Sequence, residues 1–379
     1  MTQEFVPKPE IQGYQAVRRA ARSSREYSSD FLGDADIREY RHLPLEADPP
    51  RHTQLRVALM PIFSSEHIKP KVPQFRELAE ALFIRLADND VVEVGRDIAL
   101  PYAMGCLSIV FNRQQDVDEW ISWGPNVWLA EVYQSNLEVT AETKRAQRER
   151  NYSVKTQRSA KTLDGYLARV LDEAQANPRP YQETWDVWDF VSQIAPGGSR
   201  LELEDMMGIG SVLLAAGRDT VIKLITGFVW LLIRDPAARD LLRQNPDRRV
   251  AAINEMVRYL SPLPKMERLV PGATDNSDQN RILLSFVSAN YDRTVFADPE
   301  TLRIDREPTP NVAFGFGRHS CLGRQITEHE TLAFLDAILN RWPGWKFDGE
   351  PELEWFDEGK DDSAFRFLDQ FVSVRIATR

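Results

Sequence analysis

Cysteine is nearly absent from this chain. Two in 379 residues, Cys106 and Cys321, are too few for a disulfide framework, and no apolar secretory segment follows the polar start MTQEFVPKPE. The expectation is a reduced, cytoplasmic protein. Cations are also outnumbered, 47 Lys and Arg against 57 Asp and Glu, for a net charge of −10. That balance disfavours a nucleic-acid partner, because phosphate binding needs clustered cations to release counterions. Of five histidines, only His319 lies near Cys321, so neither thiol has the set of about four ligands that structural zinc requires. No internal repeat or low-complexity tract is visible.

What remains is an ordinary globular composition, 42% hydrophobic and 27% charged, long enough for one large core or two domains. Helical periodicity dominates: GYQAVRRAARSS near the start, Arg51 to Asp88, and LDGYLARVLDEAQ from Leu163 to Gln175. Short strands are expected at DVVEV (Asp90 to Val94), ILLSFV (Ile282 to Val287) and FVSVRI (Phe371 to Ile376). The longest apolar helix runs from about Asp205 to Ile233 and would span roughly 40 Å at 1.5 Å per residue. Arg218, Asp219 and Lys223 at its middle argue against a membrane span, since charge is expensive in lipid. A helix through a protein core fits better.

The most informative stretch is FGFGRHSCLG, Phe314 to Gly323. Glycine sits where backbone bends tightly or approaches something closely, and Gly315, Gly317 and Gly323 surround one of the two thiols. A free cysteine is most often a buried structural residue, which does not explain three glycines and Arg318-His319. A Cys/His nucleophile is disfavoured, because His319 cannot easily face a thiol two residues away across a glycine-bent loop. An axial thiolate on heme iron accounts for the pattern: the loop must pass close under a flat macrocycle and offer N–H groups to the sulfur.

At this point the sequence resembles the cytochrome P-450 family through most of its length. The loop matches the family pattern FGxGxHxCxG at Phe314, Gly315, Gly317, His319, Cys321 and Gly323. LAAGRDT (Leu214 to Thr220) resembles the oxygen-binding bend of the family's central helix, EMVRYLSP carries the ExxR pair as Glu255 and Arg258, and DPPRHTQLR (Asp48 to Arg56) resembles the start of helix C. The resemblance implies a mainly α fold with small β-sheets and a long central helix over a heme. It implies one heme-thiolate domain, residues 1–379, with a short N-terminal region, native or truncated.

It further implies heme b (iron protoporphyrin IX), with Cys321 as the iron ligand. His52, Arg56, Arg268 and His319 fall on the heme propionates, and Phe314 on the cofactor loop. His52 and Arg56 are i,i+4 on one helical face. Glu255 and Arg258, i,i+3 on a helix, become a buried scaffold. Thr301 stands near the usual third member, so Arg303 or Arg306 must substitute. Asp219 and Thr220 become the catalytic pair that delivers protons for O–O cleavage. Read locally, an Asp-Thr in a helix is a kink with Thr bonded back to an upstream carbonyl. Arg218 either meets a substrate carboxylate or holds Asp219.

By the same resemblance, the expected activity is insertion of one oxygen atom from O2 into a small hydrophobic or amphipathic substrate. Electrons come from NAD(P)H through a ferredoxin or flavodoxin with its reductase. Phe31, Leu43, Leu45, Val212, Leu213, Ala216, Leu263 and Met266 are the expected pocket wall. Arg318 and Arg324, with Lys69, Lys71 and Arg76 after helix C, form a candidate dock for an acidic redox partner, altered by Glu328 where relatives often carry Arg. Alternatives are a heme-thiolate enzyme with peroxide-driven, redox-neutral or nitrogen-oxide chemistry, which the Asp219-Thr220 pair argues against, and a non-catalytic heme sensor.

Overall fold

The computed structural model describes residues 8–30, 40–87, 91–127, 161–183, 185–274, 278–341, 344–359 and 364–378. In chain order the described helices are α1 Tyr14–Arg22, α2 Arg51–Phe63, α3 Ser65–Ile68, α4 Val72–Leu86, α5 Leu100–Phe111, α6 Val117–Ser122 and α7 Lys161–Ala176. There follow α8 Val187–Gln193, α9 Leu203–Ala216, α10 Asp219–Arg234, α11 Pro236–Gln244, α12 Arg249–Leu260, α13 Phe286–Asn290 and α14 Arg324–Asn340. The strands are β1 Glu10–Ile11, β2 Val91–Glu93, β3 Lys265–Leu269, β4 Arg281–Ser285, β5 Lys346–Phe347, β6 Glu352–Glu358, β7 Phe365–Ser373 and β8 Arg375–Ala377.

Local signals explain the boundaries. Ser64 ends α2 and accepts from the His67 N–H at 3.2 Å to start α3, the expected N-cap geometry. Asp186 caps α8 and Asp235 caps α11, where Pro236 occupies a first-turn position that needs no N–H. Tyr14 opens α1 after Gly13 at φ 83° and donates its N–H to Asp292 at 2.9 Å, so a distant loop supplies the cap. The sheets are small: β1 pairs parallel to β4 and β3 antiparallel to it, β8 lies between β2 and β5, and β6–β7 form a separate antiparallel pair.

Three expectations are refined. The run from Phe286 is helical, so the strand at ILLSFV stops at Ser285. FVSVRI is divided between β7 and β8, with Val374 outside both. The long apolar helix is two helices, α9 and α10, broken at Gly217 and Arg218.

α10 is the axis of the main core, with Val221, Leu224, Ile225, Phe228, Val229 and Leu232 buried. α14 packs along α4, joined by Phe83 on Phe334 at 5.4 Å and by Asp336, which binds Arg76 and Arg249. Val94–Phe111 is apolar and long enough for a membrane span, but it is 78% buried in this core. A second, smaller core joins α1 to β4 and α13 through Tyr14, Val17, Leu284, Phe286 and Phe296. Phe316 packs on this cluster, while Phe314 packs on the main one. The cysteine loop is thus held between two cores.

Candidate active site

The loop before α14 is closed by its own backbone. Gly315 N–H reaches Val312 O at 2.9 Å and Cys321 N–H reaches Phe314 O at 2.8 Å. Gly315 and Gly317 have φ of 68° and 73°, which side chains rarely tolerate. A Cβ on Gly317 would also lie 2.8 Å from the Ala21 carbonyl of α1. Gly323 differs: its φ is −76°, and its N–H faces the Cys321 sulfur.

Cys321 lies just before α14, so the first amides of that helix, Gly323 and Arg324, donate to its sulfur. Helix N-termini and nearby cations favour a thiolate. The thiol is exposed by surface area yet closely surrounded by protein, and the two observations agree if its open side is set within the fold. Burial pushes its pKa up, while the Gly323 amide, the Arg56 guanidinium and the Arg324 amide pull it back.

Beside the thiol is a concentration of donors with few acceptors. His52 and His319 lie ring to ring at 4.1 Å. Among the described residues, both nitrogens of His52 and the Nε2 of His319 are buried without a hydrogen-bond partner. Burial, followed by Arg56, lowers His52 to about 4, with Asp48 pulling the other way. Burial, then Arg268, lowers His319 to about 2. Arg268, 5% exposed on β3, is lowered by burial to about 10. Arg56 donates to Ser320 O at 2.8 Å, which ties α2 to the loop. Buried donors normally find partners, and these would be satisfied by the two carboxylates of a bound macrocycle. The residues therefore fit a heme whose iron is held by Cys321.

The scaffold beneath is tightly paired. Arg258 makes a bidentate contact to Glu255 at 2.7 and 2.9 Å, with both residues 2% exposed or less. The third position is shared: Arg303 gives Glu255 its backbone N–H at 3.1 Å. Arg306 brings Nε to 3.1 Å, within ion-pair distance but poorly aligned as a hydrogen bond.

On the central helix, Thr220 Oγ1 donates to Ala216 O at 2.9 Å, across the break. That back-bond leaves the hydroxyl's lone pairs free to accept. Asp219 is exposed at the first turn of α10. Arg218 is turned away from any substrate: fully buried, it donates Nη1 to the carbonyls of Trp120 and Gly124 at 2.8 and 2.6 Å. Its charge is coupled to Asp219.

Of the expected wall, Ala216 is exposed beside the break, Val212 is half-buried, and Leu213 packs into the main core. Leu263 is 37% exposed after α12, and Met266 is half-buried on β3. Leu43 is a core residue and Leu45 half-buried; Phe31 lies outside the described residues. Sequence reasoning missed Gly208. A Cβ there would fall 1.8 Å from the Arg41 carbonyl, so only glycine lets the 41–45 segment lie against α9. The available signal was a glycine pair, Gly208 and Gly210, inside an apolar helix. The outer cations are partly neutralised: Arg324 pairs with Glu328 at 2.8 Å and Arg76 with Asp336 at 3.0 Å.

A mainly helical fold, a thiol at a helix N-terminus and donors grouped beside it fit a heme-binding protein. The family model described as Cytochrome P450 matches residues 7–352. The chain belongs to that family. It is 26% identical over 87% of its length to a steroid C26-monooxygenase of Mycolicibacterium smegmatis, covering 79% of that protein. It is 25% identical over 78% of its length to linalool 8-monooxygenase of Pseudomonas putida, covering 70% of it. A solved structure described as a carbohydrate active P450 superposes with a TM-score of 0.78 at 26% identity, covering 100% of this chain and 93% of that one. The chain is an oxidoreductase of the P450 type, and the two relatives just described are named as monooxygenases.

Proposed function

We propose that this protein is a cytoplasmic, single-domain monooxygenase that binds heme b through Cys321 and oxidises a small hydrophobic or amphipathic molecule. NAD(P)H would supply two electrons through a ferredoxin or flavodoxin and its reductase. One atom of O2 enters the substrate and the other leaves as water, with two protons consumed. The observation that carries the reading is the Cys321 sulfur facing two backbone amides, with both ring nitrogens of His52 and the Nε2 of His319 buried beside it without a hydrogen-bond partner among the described residues.

Bound heme supplies the iron at which O2 is reduced and its O–O bond broken, and thiolate donation favours that cleavage. The chain's own residues do the rest. His52, Arg56, Arg268 and His319 offer donors to the propionates and fix the ring's orientation, with Phe314 on the loop below. Ala216 and Gly217, at the break, would leave room for the cofactor's reactants. Thr220, its proton committed to Ala216 O, accepts a hydrogen bond on the distal side. Asp219, at the water-exposed end of the break, holds the proton that is passed inward. Phe31, Leu43, Leu45, Val212, Leu213, Leu263 and Met266 complete the proposed wall.

A second reading of the substrate, a carbohydrate or sugar-bearing molecule, is favoured by the likeness to the carbohydrate active structure across the whole chain. A ligand screen by Soret shift, with steroids, terpenoids and sugars, separates the two. Turnover under labelled O2 then tests the reaction: one labelled atom in the product supports oxygen insertion. Label absent from the product rejects it in favour of peroxide-driven or redox-neutral chemistry.

A further inference from the structure

Arg218 lies at the break between α9 and α10, where a continuous helix would otherwise run. Its φ and ψ, −100° and −82°, are non-helical. The ladder across the gap is carried by Arg218 N–H to Ala215 O at 3.2 Å, Ile222 N–H to Arg218 O at 2.9 Å and the Thr220 hydroxyl to Ala216 O. The side chain is 0% exposed, among the largest buried in the protein. Its Nη1 bonds the carbonyls of Trp120, in the last turn of α6, and of Gly124, just past its end, where carbonyl dipoles attract cations. The guanidinium also lies 5.4 Å from the ring centre of Trp123. Trp120 and Trp123, both 0% exposed, are packed edge-on to Tyr166 of α7 at 6.1 and 5.3 Å. The anchor is therefore rigid.

An apolar side chain could fill this volume without the desolvation that a buried cation suffers. It could not make two directional bonds to a neighbouring main chain. Among the described residues Nε and Nη2 are buried without a hydrogen-bond partner, and the two carbonyl bonds are the hydrogen bonds that the side chain makes there. Gly217, at φ −85° and ψ 8°, imposes no left-handed conformation, so glycine alone does not force the break.

We infer that Arg218 is a positioning residue that holds the break between α9 and α10 open, and with it Asp219 and Thr220, by clamping the main chain at the end of α6. Without the clamp the two helices join. The Thr220 amide then also bonds the Ala216 carbonyl, and the hydroxyl, sharing that acceptor, is moved from the direction it has at the break. The functional meaning rests on the roles proposed for Asp219 and Thr220, but the geometric claim is tested apart from them.

The test compares Arg218→Met, of similar reach but uncharged, with Arg218→Lys, which can keep one of the two carbonyl bonds. Amide exchange over residues 214–222 is read by mass spectrometry. The infrared C–O stretch of the reduced, CO-treated holoenzyme reports the distal surroundings. In Arg218→Met, exchange should slow about tenfold at the Thr220 amide as it gains a helical partner, and the C–O band should shift, with Arg218→Lys falling between. Exchange that is unchanged or faster in Arg218→Met, or an unmoved C–O band, overturns the proposal. If Arg218→Met does not fold, an intermediate Arg218→Lys supports it. An Arg218→Lys that equals the parent, or also fails to fold, overturns it by making Arg218 a folding residue only. Normal coupling in Thr220→Ala would instead withdraw the proton role and leave these two readouts standing.

Discussion

The two thiols occupy opposite environments. Cys106 is 0% exposed in the apolar run of α5, beside Tyr102, and burial pushes its pKa well up. Cys321 is also pushed up by burial, but two helix-terminal amides and two guanidiniums, Arg56 and Arg324, oppose that shift. The same atom type thus behaves as a small hydrophobe in one place and as a prospective anion in the other. What separates them is the direction of neighbouring N–H groups rather than depth alone.

The sharpest way to break this contrast is exchange of each sulfur for oxygen. Cys321→Ser should abolish the thiolate-type absorption of the reduced, CO-treated protein. Cys106→Ser should keep it and lose about 2 kcal/mol of stability, the cost of a hydroxyl in apolar surroundings. The reverse pattern of spectra would falsify the ligand assignment.

Next in size is the pair on the other side of the site. Thr220→Ala removes the back-bond to Ala216 and the distal acceptor together. It should leave cofactor loading intact while electrons are diverted to peroxide, lowering product per electron pair about tenfold or more. Asp219→Asn should slow turnover without comparable peroxide release. Peroxide assays beside product assays tell these apart, and parental coupling and turnover in both variants remove the pair from the mechanism.

Much of the proximal side was legible because its determinants are local. Gly315, Gly317, Cys321 and the start of α14 lie within about one loop length, and Glu255 and Arg258 share a helical face. What escaped is carried by contacts distant in sequence. Arg218 finds its partners 98 and 94 residues away. Gly208 answers to Arg41. Arg303 and Arg306 are both legible as candidates for the third scaffold position, and what the sequence leaves open is only that they divide it between backbone and side chain. β3 and β6 escaped for another reason: KMERL and ELEWFDE mix charge into every face, which dilutes the alternation on which strand recognition depends.

His52 and His319 sharpen the contrast by titration. Their folded values, about 4 and about 2, lie below the ordinary 6.5. A base depressed in the folded state costs no stability above pH 6.5. Below it the unfolded chain takes up protons that the folded chain refuses, so stability falls as pH descends from 6.5 toward 4. Urea midpoints of cofactor-depleted protein should therefore fall across that window, and His52→Gln should flatten the slope. Loading with heme should flatten it too, since propionates accept from the protonated rings. A slope equal in parent and His52→Gln would mean the ring is not held neutral.

The smallest expected effect concerns the outer face of the thiolate loop, where charge is exposed rather than buried. Lys69 and Arg318 are exposed there, while Arg324, at 56% side-chain exposure, already pairs with Glu328 one helical turn on. Exposed pairs contribute little to stability, but they subtract from the field that an acidic redox partner would meet. Complementary charge acts mainly on encounter rate and is screened by salt. The rate of reduction by a ferredoxin or flavodoxin should accordingly fall only a few-fold between low and physiological ionic strength. Arg324→Glu should lower it modestly, Glu328→Gln should raise it by releasing Arg324, and neither should change substrate-induced Soret shifts. Because the two substitutions are expected to act in opposite directions on one step, a shared direction, or a rate indifferent to salt, would remove this face as the dock while leaving the thiolate chemistry intact.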